Sequence, residues 1–314
     1  METISVRNIS EDGKRGQESS EKGKRREETQ RFHRIRTGIM VRAAVTLLLI
    51  LMVFPLFVLV TDSFMGSREI LERFGPVLAG TEGQAEFVLF PQYPTLRAYV
   101  QLLLDSPEFF TAFWNSVFQT GMILAGQLVV AVPGAWAFAR YRFPGRRALW
   151  FLYMLLMILP FQVTMVSGYL VLSAVHLMDT HWAVILPGVF STLPVFILKK
   201  TFSAIPREIL EAAEADGAGE LRIFLLIGIP LGRSGIFSIM ILGFLEYWNA
   251  IEQPMTFLRT ESLTPLSLYL PDISTSDAAV SFAASLVMLL PALLLFFFGQ
   301  EYLEQGIAAS GIKE

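Results

Sequence analysis

The sequence predicts an all-α polytopic membrane protein with six transmembrane helices. Three observations carry that prediction. First, 53% of the 314 residues are hydrophobic and only 17% charged, with a mean hydropathy of +0.52, whereas soluble domains carry about 25% charged residues. Second, six apolar runs approach the ~20 residues that a ~30 Å hydrocarbon core demands: 39–60, 117–138, 149–172, 182–198, 234–248 with its flanks, and 278–298. Third, of the 25 Lys and Arg residues, all but Arg68, Arg73, Arg97 and Arg259 fall in 1–42, 139–148, 199–233 or at Lys313. Continuous apolar runs of this length exclude a barrel and leave only helices.

In chain order, residues 1–38 are polar and rich in charge of both signs. They bury too little apolar surface to offset ordering entropy and read as a disordered tail. No short apolar run followed by a small-residue cleavage site is present, so no cleavable signal peptide is expected. The first span is assigned to 39–61. Residues 62–112 form a loop on the far side, in which Leu96, Tyr99, Val100, Leu102 and Leu103 recur at the spacing of a short interfacial amphipathic helix. Residues 113–305 hold the five remaining spans, with Pro133, Pro160, Pro187, Pro194 and Pro291 inside them; such prolines are tolerated where neighbours satisfy the freed backbone groups. A tail at 306–314 follows. The Lys and Arg bias places both termini and the loops after spans two and four in the cytoplasm of a cell-membrane protein.

Composition also excludes functions. There is no cysteine, hence no disulfide, thiolate nucleophile or Cys-ligated metal. Three histidines, a net charge of −3 and the absence of a nucleophile–base pair, phosphate loop or HExxH pattern leave no expected catalytic residue, metal or nucleic-acid partner.

The most informative stretch is 208–230, acidic and Ala-rich, then broken by Gly217 and Gly219, then apolar to Pro230. Pro206 suits a first helical turn. Glu208 and Glu211 suit the positive end of the helix dipole. Ile209, Leu210 and Ala213 form a narrow apolar face, and Gly217 stands where a left-handed C-cap ends a helix. The spacing predicts a helix–turn–helix element over 206–222, too charged to span. A lipid-surface helix usually shows Lys and Arg. Glu211, Glu214, Asp216 and Glu220 instead suit a basic protein partner.

Glu211-Ala212-Ala213, three residues, Gly217, nine residues, then Ile227-Gly228-Ile229-Pro230 resembles the EAA motif of ABC importer membrane subunits, departing from it mildly at Ile229. The resemblance spans about 90–312. Arg142-Phe143-Pro144-Gly145-Arg146, Leu159-Pro160, Asp179-Thr180-His181-Trp182-Ala183, Ile205-Pro206 and Tyr247-Trp248-Asn249 are similar to the carbohydrate-type subfamily's signatures. It implies a type I ABC importer permease fold with 206–222 as the coupling helix. Glu211 would then pair with a basic group on a separate ATPase. Ala212 and Ala213 would allow close packing, Gly217 would make the turn, and Ile227 and Pro230 would complete the motif. It also implies a second homologous permease subunit, two ATP-binding subunits that hold ATP and Mg, and an extracytoplasmic solute-binding protein. No cofactor is expected in this chain.

Polar residues inside spans are expensive and are functional candidates by default. They include Asn115, Gln119, Gln127, Gln162, Thr164, Ser167, Glu246, Asn249 and Gln253. Glu246, Asn249 and Gln253 fall at i, i+3 and i+7, one face of a continuous helix. Tyr247 and Trp248 add aromatic surface suited to sugar rings. The competing reading makes the aromatics an interfacial belt and the amides interhelical bonds. The expected function is that of a permease subunit of an ATP-driven importer for a sugar, oligosaccharide or glycan fragment. The alternatives are a polyol or glycerol-phosphate importer, or a stand-alone secondary transporter.

Overall fold

The computed structural model describes residues 38–78, 80, 84, 88–269 and 278–310. The expected N-terminal tail therefore lies outside the described residues, apart from residue 38. The chain divides into two compact units, 1–60 and 61–314. In the first, helix α1 (Gly38–Asp62) has 25 residues, about 37 Å at 1.5 Å per residue, enough to cross a bilayer. Pro55 is accommodated inside it.

The second unit starts with α2 (Ser67–Leu78) and α3 (Arg97–Leu104), both within the expected far-side loop. Helix α3 matches the amphipathic helix that the spacing predicts. Its inward residues are Ala98 and Leu102, while Leu96, Val100 and Leu103 stay exposed. Helix α2 had no expectation. It is anchored by a buried ion pair, Glu69 to Arg73 at 2.7 Å. Glu69 also accepts the backbone N–H groups of Gln92 and Tyr93. These acceptor duties let a carboxylate sit in an apolar layer. Met65, Ile70, Leu102, Phe109, Trp248, Leu266 and Ala278–Ala284 pack around it as one core.

Helix α4 (Pro107–Arg140) has 34 residues and is the axis of the unit. After it come α5 (Arg146–Ile158) and α6 (Phe161–Ala174), then α7 (His181–Val189) and α8 (Thr192–Ser203), which together form one 23-residue stretch long and apolar enough to span. Helix α9 (Arg207–Ala215) is followed by α10 (Glu220–Ile223), a π-helical turn Phe224–Gly228, and α11 (Ile229–Leu231). Helices α12 (Arg233–Trp248), α13 (Glu252–Phe257) and α14 (Ala278–Ser310) complete the chain.

Among the described residues, four stretches are long and apolar enough to cross a membrane singly. The number reaches six only if two bent pairs each count as one span. The expected span over 149–172 is one of these. It breaks at Leu159–Pro160, and α5 and α6 meet at 109°. Proline restricts its predecessor to extended backbone, and Leu159 has φ −68°, ψ 126° and Pro160 φ −66°, ψ 151°. The other break lies at Gly232, where 220–231 and α12 meet at 68°.

Two kinds of contact hold the helices together. One is close approach at glycine. A Cβ on Gly232 would lie 2.3 Å from the Phe202 ring, and one on Gly228 2.7 Å from the Trp136 ring. The other is side-chain bracing of irregular backbone. Asn115 Nδ2 donates to the carbonyls of Ser262 and Thr264, Gln119 Nε2 donates to that of Leu263, and Ser116 Oγ accepts the Leu266 N–H. Asp179, held at φ 57°, accepts the N–H groups of Arg259 and Thr260 at 2.8 and 2.9 Å and the Thr260 hydroxyl at 2.6 Å. That hydroxyl and the two backbone donors hold the Asp179 carboxyl down at about 2.

Gly232→Ala is expected to destabilise by about 1–3 kcal/mol through overpacking against Phe202. Gly134→Ala, where a Cβ meets nothing within 4 Å, should be neutral or stabilising; thermal unfolding in detergent compares them, and equal Tm values would refute the tight-packing account. For Asp179, the folded pKa lies below its ordinary value near 3.8. Its contribution is therefore full above about 3.8 and lost as pH falls toward about 2. Hydrogen-exchange protection at Arg259 and Thr260 should be flat from about pH 8 to 4, and Asp179→Asn should weaken it several-fold throughout, because the charge-assisted bonds are gone. Unchanged protection in that variant would show that the carboxylate does not hold the loop.

Candidate functional site

The basic end of the second unit carries the element flagged by the sequence. Pro206 lies one residue earlier than expected, as an extended N-cap (φ −56°, ψ 139°), and α9 begins at Arg207. The helix closes with a Schellman motif. The Ala218 N–H donates to the Ala213 carbonyl at 3.0 Å and the Gly217 N–H to the Glu214 carbonyl at 2.9 Å. Gly217 has φ 79°, a conformation that glycine adopts at no steric cost.

The two faces of α9 do different work. Leu210 is buried, and Ala213 and Ala218 pack beside it in a core shared with Trp136 and Phe138 of α4, Leu198 and Phe202 of α8, Ile223 of α10 and Ile239 of α12. Glu208, Glu211, Ala212 and Ala215 stay exposed, on a stripe of i, i+3, i+4 and i+7 spacing. Of the two expected small contact residues, Ala212 thus faces outward while Ala213 turns into this chain's own core. Downstream, Pro230 has no N–H to give Leu226, and the ladder shifts to a π turn in which the Ile229 N–H reaches the Phe224 carbonyl. Ile227 packs inward in this turn, and Pro230 is exposed.

Two further contacts fix the element, and sequence reading assigned neither. Arg140 Nη2 donates to the carbonyls of Phe202 and Ile205 at 2.6 and 2.9 Å, placing a cation at the negative end of α8. The Tyr141 hydroxyl donates to Glu220 Oε2 at 2.7 Å, joining the end of α4 to the start of α10. Burial and that carboxylate push the Tyr141 phenol up. The signal for Arg140 was its place at a helix end among apolar residues.

The solute-path candidates separate. Glu246 and Asn249 are exposed and Gln253 half-buried, but they do not share a helix face. Helix α12 ends at Trp248, Asn249 leaves the helix at φ −101°, ψ 7°, and α13 starts afresh at Glu252. Trp248 is closed into the core: its Nε1 donates to the Met288 carbonyl, and its ring stacks on Phe244 and meets Phe113 edge-on. It therefore has no face left for a solute. Tyr247 shares its hydroxyl with the Gly188 carbonyl and Gln127 Nε2, each at 3.3 Å. Asn115 is spent on the loop at 262–264. Gln162, exposed at the start of α6, donates to Glu252 Oε1 at 2.8 Å. The structure thus brings Gln162 together with Glu252, an acid overlooked among the candidates. Among the described residues no cluster of acids and histidines fits a metal ion.

Known proteins show the same architecture. A chain of a bacterial ABC transporter involved in the import of the acidic polysaccharide alginate superposes with a TM-score of 0.72, covering 84% of this chain and 95% of that one at 22% identity. The inner membrane ABC transporter permease protein YcjP of Escherichia coli is 31% identical over 275 residues, 85% of this chain and 93% of that protein. The arabinooligosaccharides transport system permease protein AraQ of Halalkalibacterium halodurans is 28% identical over 264 residues, 83% and 91% of the two chains. The sn-glycerol-3-phosphate transport system permease protein UgpE of Yersinia pestis is 28% identical over 211 residues, 66% and 75%. The family model of binding-protein-dependent transport system inner membrane components matches residues 129–309. With this match over more than half its length, the chain belongs to that family: it is a multi-pass permease subunit of an ABC importer, a transport component and not an enzyme.

Proposed function

We propose that this permease moves a sugar, oligosaccharide or glycan fragment, and that α9 is where a separate ATPase drives it. The observation that carries the coupling role is the division of α9. Its acidic outer stripe is free for a basic partner, while Leu210 and Ala213 lock it into the core of α4, α8 and α12. A push on such a helix is passed to the spans, because close-packed cores transmit displacement. The saccharide reading is supported by the relatives, one named for arabinooligosaccharides and one for alginate. A structure of the alginate transporter with a pentasaccharide-bound periplasmic protein supports a solute-binding partner. The glycerol-phosphate relative favours a second reading, a phosphorylated polyol. Calorimetry on the cognate binding protein separates the two: heat with saccharides only supports the first, and heat with glycerol phosphate only sinks it.

A second permease subunit and two ATP-binding subunits complete the proposed assembly, with ATP and Mg held in the latter. Both termini and α9 lie in the cytoplasm in this reading, supported by the Lys and Arg bias. Because the chain has no cysteine, single-cysteine variants report sidedness cleanly. Arg259→Cys should react with an impermeant maleimide added outside cells, and Arg222→Cys only after lysis; the reverse pattern inverts the topology.

Glu211→Lys should cut uptake in reconstituted vesicles by about tenfold or more, by reversing charge at the docking face. At Gly217 a Cβ meets nothing within 4 Å, so substitution acts through backbone strain alone, about 1–2 kcal/mol for an ordinary L-residue. Gly217→Val should therefore lose uptake and ATPase co-purification, while Gly217→Asn, tolerant of that conformation, keeps most of both. Full uptake with Glu211→Lys and Gly217→Val would refute the coupling role.

A further inference from the structure

A second site lies beside the coupling element. Between the end of α4 and the start of α5 is a cavity of about 860 Å³ lined by Arg142, Arg146, Arg147 and Lys199, with Phe138, Phe143 and Trp150 as walls. No carboxylate lines it, and none of the four cations forms an ion pair among the described residues. Concentrating like charge is unfavourable unless an anion joins it. Two of the cations are also held in place. Lys199 Nζ lies 4.1 Å above the Trp150 ring, which stacks on Phe196 at 5.8 Å. Arg146 Nη1 donates to the Tyr141 carbonyl at 3.1 Å, leaving the rest of its donor fork available. The first turn of α5 begins at Gly145 (φ 79°) without a side-chain cap, adding its dipole to the same sign of potential.

We propose that this cavity binds the phosphate headgroup of an anionic phospholipid of the inner leaflet. The assignment rests on the proposed topology, which sets the mouth of the cavity at cytoplasmic headgroup depth. The surroundings favour a lipid over a soluble anion. Helix α5 runs on from the cavity with no buried residue, and Phe151, Leu152, Leu155 and Ile158 are all exposed. A headgroup among the cations thus has an apolar surface for its acyl chains, which basic sites at membrane-helix ends provide for acidic lipids.

The test uses the full chain purified with its co-expressed partner subunits in mild detergent. Lipid retained after delipidation is counted by native mass spectrometry, with phosphatidylglycerol and phosphatidylcholine offered in equal amounts. The wild type and the control Arg233→Gln should keep phosphatidylglycerol selectively, and Arg147→Gln/Lys199→Gln should retain about tenfold less. If that double variant does not fold, Arg142→Gln against the charge-preserving Arg147→Lys carries the comparison, with retention reduced only in the former. Equal retention by the cavity variants overturns the site. Displacement by inorganic phosphate alone makes it a soluble-anion site and overturns the lipid. Unchanged lipid with loss of the ATPase makes it a protein contact and overturns it as well. The cysteine labelling reads the topology separately: labelling of Arg222→Cys from outside overturns the leaflet, whatever the lipid count.

Discussion

The basic end of this permease depends on backbone brought close to side chains of neighbouring helices, two of them aromatic rings. Gly228 lies against Trp136, Gly232 against Phe202, and Gly235 against Thr201. In lipid, helices gain little by leaving an apolar solvent for one another, and association rests on van der Waals fit and interhelical hydrogen bonds. Small residues at i, i+4 and i+7 let α10–α12 approach α4 and α8 closely. Trp136 then meets Phe202 edge-on at 5.3 Å and Phe224 at 5.5 Å, and Leu210 of α9 closes the same cluster. Helix α9 is therefore part of the core. Its position is set by rings that belong to the spans.

Buried polar groups are costly when unpaired; Gln127 Oε1, Trp136 Nε1 and Arg140 Nε lack a partner among the described residues, but Gln127 Nε2 and Arg140 Nη2 are used to join helices. Gln127, fully buried, gives its amide to Gly188 and Tyr247 and so ties α4 to α7 and α12 at once. Arg140 finds the carbonyls that α8 leaves at its end. At the far end, Asn115, Ser116 and Gln119 line one side of α4 and hold the two short 3-10 turns at Glu261–Leu263 and Leu266–Leu268 and the residue Thr264 between them. Short turns of this kind leave backbone groups without helical partners, and α4 supplies those partners in a row.

These arrangements explain what the sequence revealed and what it withheld. The four continuous apolar stretches, the helix α3 and the left-handed turn at Gly217 are local consequences of composition, periodicity and one residue's freedom in φ, and these were legible. The break at Leu159–Pro160 was not, because a proline in an apolar run is compatible with either a tolerated kink or a 109° bend, and neighbours decide which. The supposed face of Glu246, Asn249 and Gln253 failed for a related reason. Helical spacing was extended through Asn249, where the helix ends. Trp248 looked like a sugar platform because aromatic residues serve both cores and carbohydrates. Only its bond to the Met288 carbonyl and its stacking on Phe244 distinguish the two uses.

The two bent helix pairs also relate α9 to the surroundings of Gln162. One bend, at Gly232, lies between α11 and α12, so a displacement of α9 passed on through Ile223 would reach α12 only across that bend. The other, at Pro160, turns α6 so that Gln162 meets Glu252 of α13. Helix α13 itself follows α12 after only three residues. Rotation of α12 about the first break would shift α13, and with it the partner that Gln162 holds across the second. The polar contact at one bend is thus linked to the other through α12, which contributes Ile239 to the core that holds α9.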